Sequence, residues 1–519
     1  MRVTQALQRN LQQIPNSLAT VDGVRRHTWS QVAERVARLA GGLRALGVAP
    51  GDRVGVIALN SDRHYEVFFA VPWAGGVIVP VNYRWSAQEI AFSLDDSGTR
   101  VLFIDQAFWH LAEQLRPLVA HKLTIIAIDV DDLPGADAVQ DRLIASHAPV
   151  EEFPNERDTL SGIFYTGGTT GRSKGVMLSH GNHVSNTLQY ITMVGALPDT
   201  IYLHAAPMFH IADALYIYAM THIGATHIFI PRFEPAACAR AIQEHQVTDI
   251  ILVPTMIQML LEQPGFADFD LTCLKRMFYG ASPMPEAVAL DLLRKLPWVG
   301  ACQLYGQTES APLLTALESR YHVADGPHAH RLRSAGRALP ATELRIVDDL
   351  GHEMPRGEVG EIVVRSPNVM MGYWGREDAT REALRDGWLH TGDAAYMDAD
   401  GFIYISDRLK DMIISGGENV YSTEVENAMY QHPDVAQCAV IGVPDEKWGE
   451  RVHAIVVPRA GTHPEPAELM AHCRRLIADY KCPRSVSFRE EPLPLSGAGK
   501  VLKTELRKPF WDGRTRQVN

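Results

Sequence analysis

The stretch YTGGTTGRSKGV (165–176) decides how the rest of the chain is read. Glycines and threonines followed by Arg172 and Lys174 put backbone N–H groups, hydroxyls and positive charge in one place. That is the combination a polyphosphate needs. The stretch is not the common P-loop, which takes Gly-x4-Gly-Lys-Ser/Thr. Here Ser173 stands where the second glycine belongs, and Gly175 where a magnesium-binding hydroxyl belongs. The flanks differ as well. SGIFYT (161–166) and GVMLSH (175–180) are short, β-rich apolar runs, so the loop joins two strands as a hairpin, whereas a P-loop joins a strand to a helix. A plain turn at a hairpin tip has the same composition. The remaining chain must separate the two readings.

Around this loop the chain alternates. TWSQVAERVARLAGGLRALGV (28–48) carries apolar residues at helical spacing, with Gly47 as a C-terminal stop. HYEVFFAVPWAGG is a second helical run, and the segment before residue 28 reads as helix and turn. VIVPV, VLFID and TIIAID are β-branched runs between such segments, and THIFI, DIILVP, RMFYG and CQLYG repeat the theme from residue 202 to 317. This is the pattern of α/β sheets with helices on both faces. From Glu343 the texture changes: ELRIVDD, GEVGEIVVRSP and FIYISD are separated by turn signals and predict antiparallel strands, a small barrel. After DRLKD the last part forms another α/β unit. STEVENAMYQHP and PAELMAHCRRLIADY read as helices, with VAQCAVIGVP and ERVHAIVVP as strands.

Length and composition set bounds. The 519 residues need more than one core. A net charge of −12 argues against a general nucleic-acid binder. No apolar run approaches the ~18 residues of a membrane span. The N-terminus lacks a secretory core, and the six cysteines have neither CxxC spacing nor a disulfide pattern. A cytoplasmic protein with reduced thiols is expected.

Four further clusters carry chemistry. QLYGQTES (303–310) delivers Thr308 and Glu309 just past the C-terminal end of a strand, where ligands bind in open α/β sheets. GWLHTGDAAY (387–396) sets Asp393 on a tight turn, fit to accept two hydroxyls. SDRLKDMIISGGENVYSTEVE (406–426) combines Arg408, Lys410 and Asp411 with the close-approach backbone of Gly416 and Gly417. LPLSGAGKVLKTELR (493–507) places Lys500 after a Gly-rich turn. Each alone also reads as an ordinary turn or solvated charge.

Together, in this order and at these separations, the five motifs resemble the adenylate-forming superfamily of acyl-CoA synthetases, aryl-CoA ligases, luciferases and peptide-synthetase adenylation domains. The resemblance spans essentially the whole chain, and 406–450 looks most like the fatty-acyl-CoA synthetase branch. It implies a large N-terminal part, residues 1–409, of two α/β subdomains plus a distorted β-barrel. A small mobile α+β C-terminal domain, residues 410–519, would turn on a hinge at Lys410. It implies two half-reactions: a carboxylate attacks the α-phosphate of ATP to give acyl-AMP and pyrophosphate, then coenzyme A takes the acyl group and AMP leaves.

The site residues follow from the same resemblance. Thr166, Gly167, Gly168, Thr169, Thr170 and Gly171, with Lys174, would grip the β and γ phosphates. Glu309 would bind Mg²⁺, Thr308 the α-phosphate, and Tyr305 would stack on adenine beside Gln303 and Gly306. Asp393 would accept the ribose hydroxyls with Arg408 as a second contact. Lys500 would bridge the carboxylate and the α-phosphate, then withdraw so that Gly416, Gly417 and Glu418 line the pantetheine tunnel. His210, in PMFHIAD, would gate an acyl pocket lined by Met256, Gly280, Ala281 and Ser282. Two positions depart from the family loop: Gly167 replaces a serine and Ser173 a proline, without loss of charge.

The expected activity is therefore an ATP-dependent acid–thiol ligase acting on a medium or long fatty acid. The alternatives are an aryl acid of cinnamate or benzoate type, or transfer to a carrier protein. No surplus segment between 343 and 410 marks the carrier-protein class, which favours coenzyme A. A fatty substrate would bring peripheral membrane contact, though no basic amphipathic anchor is legible. Oligomeric state is not legible either. A non-catalytic nucleotide-binding module conflicts with the intact Glu309, Asp393, Arg408 and Lys500.

Overall fold

The hairpin expected around the glycine-rich loop is present in the computed structural model. The structure describes residues 1–130, 133–166, 173–195, 197, 199–408, 411–415, 418–445, 447–497 and 499–512. Leu160–Thr166 pairs antiparallel with Lys174–Ser179, with Tyr165 opposite Gly175 and Thr166 opposite Lys174. Glycine is required at 175, since a Cβ there would lie 2.7 Å from Ile163 Cγ2 and 3.1 Å from Tyr165 Cζ.

Among the described residues, two large sheets form the N-terminal part. The eight-stranded sheet runs from Gly372–Tyr373 through the hairpin to five parallel strands, of which Val77–Pro80 lies against the hairpin. The nine-stranded sheet has six parallel central strands, from Leu18–Asp22 at one side to Gly300–Gly306 at the other, with antiparallel strands at both edges. Between the sheets lies the helix Asp62–Ala74, all 13 of whose residues are buried. Tyr65 packs tilted against His227 and Phe69 edge-on against Tyr218 of the neighbouring layer. Its buried acids are compensated: Asp62 pairs with Arg25 at 2.9 Å and Glu66 with Arg35. Unpaired, such charges would be costly at this depth.

The N-terminus corrects the expectation of a helix and turn before residue 28. After the helix Gln5–Gln13, Leu18–Asp22 and Arg25–Thr28 form a hairpin, and its first strand pairs parallel with Thr226–Phe229. Arg25–Thr28 is an edge strand without a buried residue, so it lacks the apolar alternation that marks a half-buried strand. The helix expected over PAELMAHCRRLIADY stops at Leu476, where Ile477 turns extended and packs back on the C-terminal core.

A curled five-stranded antiparallel sheet begins with Glu343–Val347, and the C-terminal unit is a second five-stranded sheet flanked by Ser422–Met429, Pro466–Leu476 and Lys503–Trp511. No described helix is long and apolar enough to cross a membrane.

Candidate active site

The sequence-predicted residues converge beyond the C-terminal ends of the parallel strands, the edge where open α/β sheets bind ligands. Tyr305 and Gly306 end the strand Gly300–Gly306, and Gly280 ends the adjacent strand Arg276–Gly280. Both glycines are forced by backbone proximity. A Cβ at Gly306 would lie 1.8 Å from the Pro312 carbonyl oxygen, and one at Gly280 would lie 2.1 Å from that of Leu304. Ala281 then turns through φ +67°, and Ser282 follows half-buried. Gln303 accepts a 3.4 Å hydrogen bond from Tyr279.

Asp393 lies on the long strand Trp388–Met397, directly opposite Arg408 of Ile403–Arg408. Its carboxylate is buried and held from two sides. Tyr305 donates its hydroxyl to Oδ2 at 2.8 Å, and Arg408 Nε lies 3.1 Å from Oδ1. Burial, then the Asp393 charge, pushes the Tyr305 phenol well above its ordinary value, so it stays a donor. Gly392, at φ +70°, lies within the strand Trp388–Met397 at a register shift against Gly360–Arg365, so Asp393 stands on an irregular strand and not on the tight turn expected from its motif.

Glu309 sits in the single turn Thr308–Ser310. Its Oε1 accepts from the Tyr373 hydroxyl at 2.8 Å, while Lys174 Nζ lies 5.0 Å over the Tyr373 ring. One tyrosine thus links the second hairpin strand to the expected metal-binding carboxylate. At the loop end of the hairpin Tyr165 donates to Asp96 at 2.7 Å, and Arg376 holds the other Asp96 oxygen at 2.7 Å. Thr166 reaches the Lys174 carbonyl at 3.5 Å. Gly167, Gly168, Thr169, Thr170 and Gly171 lie outside the described residues, as do Lys410, Gly416 and Gly417.

Mg²⁺ fits this carboxylate. No group of three His, Cys, Asp or Glu gathers among the described residues. Magnesium keeps several waters and is held by one or two carboxylates together with substrate phosphates, which is what a lone Glu309 supplies.

Lys500 is brought in from the C-terminal unit. Its turn closes through Ser496 N to the Lys500 carbonyl at 2.7 Å and Lys500 N to Ser496 Oγ at 3.1 Å. The turn is clasped by the N-terminal part: Arg84 donates to the Ser496 carbonyl at 2.9 Å and Thr255 to that of Gly499 at 3.3 Å. A Cβ at Gly499 would meet Val253 Cγ2 at 2.8 Å, with Met256 Cε at 3.9 Å. His210 caps the helix Ile211–Ile223, its Nδ1 accepting from Ala212 N at 3.2 Å. Burial, with the Lys500 charge as the second cause, lowers its pKa to about 3. It is a neutral ring beside a cation.

Tyr305, Asp393 and Arg408 thus meet at one sheet edge, Tyr373 ties Glu309 to the hairpin, and the Lys500 turn docks against the N-terminal part. The AMP-binding enzyme family model matches residues 7–374, and the model of the AMP-binding enzyme C-terminal domain matches 424–500. The chain belongs to this adenylate-forming family. It is an AMP-forming acid–thiol ligase whose substrates are a carboxylic acid, ATP and coenzyme A. Among similar proteins, a feruloyl-CoA synthase of Amycolatopsis sp is 42% identical over 96% of each chain. The fatty acid–[acyl-carrier-protein] ligase ScoC of Streptomyces coeruleorubidus is 36% identical over 97% of this chain and 96% of its own. The anthranilate CoA ligase AuaEII, solved with anthranoyl-AMP, superposes with a TM-score of 0.90 at 26% identity, covering 98% of this AMP-binding enzyme and 97% of AuaEII.

Some of the AMP-binding enzyme's site was not read from its sequence. Tyr373 lies in MGYWGR, whose flanking glycines are the one local signal, and Asp96 carries none. Glu418, by contrast, is exposed on the hairpin of Ile413–Ser415 with Glu418–Val420, and no hydrogen bond or ion pair brings it to Asp393 or Lys500 among the described residues.

Proposed function

We propose that this enzyme activates an aryl carboxylic acid, of cinnamate or benzoate type, as its acyl-AMP and passes it to coenzyme A. The chemistry requires an anionic acid to approach an anionic triphosphate, so charge must be neutralised where it develops. Lys500, docked beside neutral His210, would bridge the carboxylate and the α-phosphate, with Thr308 a further hydrogen bond to it. The hairpin with Lys174 would hold the departing β and γ phosphates. Asp393, oriented by Tyr305 and Arg408, would accept the ribose hydroxyls, and the Tyr305 ring would carry adenine. Mg²⁺ on Glu309 would supply charge neutralisation at the phosphates.

For the second half the thiol needs the place that the Lys500 turn occupies. A rotation of the unit from residue 410 onward would clear it and bring Glu418 in. Such a change needs few torsions at Lys410. We place the enzyme in the cytoplasm.

The observation that favours an aryl acid over the fatty acid is the aromatic block below His210. Tyr216 stacks on Tyr202 at 4.7 Å and also packs with Tyr190 and Phe278, all fully buried. We infer that a pocket starting at His210 would be short, because these rings fill the space between the helix Ile211–Ile223 and the nine-stranded sheet. The feruloyl-CoA synthase likeness over nearly the full length points the same way. The experiment is acyl-CoA formation, read by mass spectrometry, across acetate to C18 acids, benzoates and cinnamates. Preference for an aryl acid supports the reading. Preference for long chains overturns it in favour of the fatty-acid alternative. Acid-dependent pyrophosphate release without acyl-CoA points to a carrier-protein acceptor, the function named for ScoC.

A further inference from the structure

Three side chains on one face of the helix Pro254–Glu262 reach the C-terminal unit. Thr255, Gln258 and Glu262 are spaced three and then four residues apart, so they form one stripe of an α-helix. Thr255 donates to the Gly499 carbonyl at 3.3 Å, next to Lys500. Gln258 donates its amide to the Ala436 carbonyl at 3.1 Å, and Glu262 Oε1 takes Arg459 Nη1 at 2.9 Å. The far end is itself braced. Gln258 also lies 3.2 Å from Glu262 Oε1, and Arg459 Nε donates to the Pro433 carbonyl at 2.9 Å.

We infer that the Glu262–Arg459 pair, with Gln258, is a positioning device that sets how often Lys500 is seated for acyl-AMP formation. The inference rests on the role proposed above for Lys500. Glu262 lies about 10 Å along the helix from Thr255, too far to touch the reacting groups. Yet both ends of the stripe hold the same unit, so releasing one end loosens the other. A cleft of about 370 Å³, lined by Gln258, Glu262, Asp291, Lys295, Tyr430 and Arg459 among others, separates the two units. The side chains of Arg459 and Glu262 are 45% and 41% exposed. An exposed pair of this kind changes an equilibrium by at most about fivefold. That is the range suited to a contact that must form for one half-reaction and break for the other, because a ligand or contact shifts a two-state balance only by its differential affinity.

The test is charge exchange in the full-length enzyme: Glu262→Arg, Arg459→Glu and the double variant. Two rates are measured with one acid that the unaltered enzyme uses: acid-dependent ATP–pyrophosphate exchange, and transfer from chemically prepared acyl-AMP to coenzyme A. Each single reversal should lower exchange about fivefold through kcat, with the KM for ATP little changed, because all the groups assigned to ATP except Lys500 lie in the N-terminal part. Transfer should hold or rise. The double variant should return exchange to within about twofold of the unaltered enzyme. Unchanged exchange in both singles overturns the inference, as does a parallel fall of exchange and transfer, or a double variant no better than the worse single. If the unaltered enzyme itself shows no acid-dependent exchange while making acyl-CoA, the proposed role of Lys500 fails first and takes the inference with it.

Discussion

Tyr305 and Asp393, 88 residues apart in sequence, share a 2.8 Å hydrogen bond at the edge of the nine-stranded sheet. Arg408 holds the other carboxylate oxygen at 3.1 Å, so Asp393 is fixed before any ligand arrives. Hydrogen bonds to a charged group contribute about 1.5–3 kcal/mol. Tyr305→Phe should therefore weaken ATP binding about tenfold or more, and Asp393→Asn further. Titration calorimetry with ATP reads both; unchanged affinity in Tyr305→Phe would remove Asp393 orientation from the account.

Tyr373 ties Glu309 to the hairpin through one hydroxyl at 2.8 Å. Tyr373→Phe keeps the ring under Lys174 but frees Glu309 to rotate. The Mg²⁺ concentration that half-saturates ATP binding should rise severalfold, while ATP affinity at saturating Mg²⁺ changes little. Calorimetric ATP titrations at stepped Mg²⁺ check it.

Gly306 and Gly280 have no room for a methyl group, because the obstructing atoms are backbone carbonyl oxygens at 1.8 and 2.1 Å. Backbone cannot yield as a side-chain tip can. Gly306→Ala should cost more than about 2 kcal/mol, in the tail of single-substitution effects. Thermal and urea melts read the loss. Ordinary stability in Gly306→Ala would contradict the close approach of the Pro312 carbonyl.

Acid sensitivity follows from the buried histidines. Burial, then the nearby His180, lowers the His183 pKa to about 3, and its Nε2 has no hydrogen-bond partner among the described residues. The unfolded ring titrates near 6.5. Between these values the unfolded chain binds a proton that the folded one refuses, so stability rises with pH through this window. It is complete above about pH 6.5 and is lost as pH falls toward 3. His64, lowered to about 4 by burial, acts in the same sense. Melting temperature should fall on acidification below pH 6.5, and His183→Phe, which keeps the contacts with Tyr218 and Phe164, should flatten that slope.

Much of this site was legible in the sequence because its parts are local. The hairpin announces itself through apolar runs on either side of a glycine-rich turn. Asp393 and Arg408 lie in short motifs, and Lys500 follows a turn that only its glycines could make. What was not legible is contact across the chain. Nothing near Asp96 signals that it braces Tyr165, and nothing in MGYWGR signals that Tyr373 reaches Glu309. The N-terminal hairpin escaped because Arg25–Thr28 is polar and unburied, an edge strand that carries no period of its own. The stripe of Thr255, Gln258 and Glu262 is hidden in a run whose apolar residues belong to the core. Its polar face has meaning only once the C-terminal unit is placed against it.

Lys500 carries the heaviest assignment. Lys500→Ala should abolish acid-dependent ATP–pyrophosphate exchange while ATP binding persists, since the other groups assigned to ATP remain in place. Full exchange in that variant would remove its role.

The central claim, activation through an acyl-adenylate, is tested most directly by following oxygen. The acid, labelled with oxygen-18 in its carboxylate, is converted with ATP and coenzyme A, and the nucleotide product is weighed by mass spectrometry. Attack of the carboxylate on the α-phosphate predicts AMP carrying one labelled oxygen, with the other retained in the thioester. Unlabelled AMP, or ADP with labelled phosphate, would contradict it.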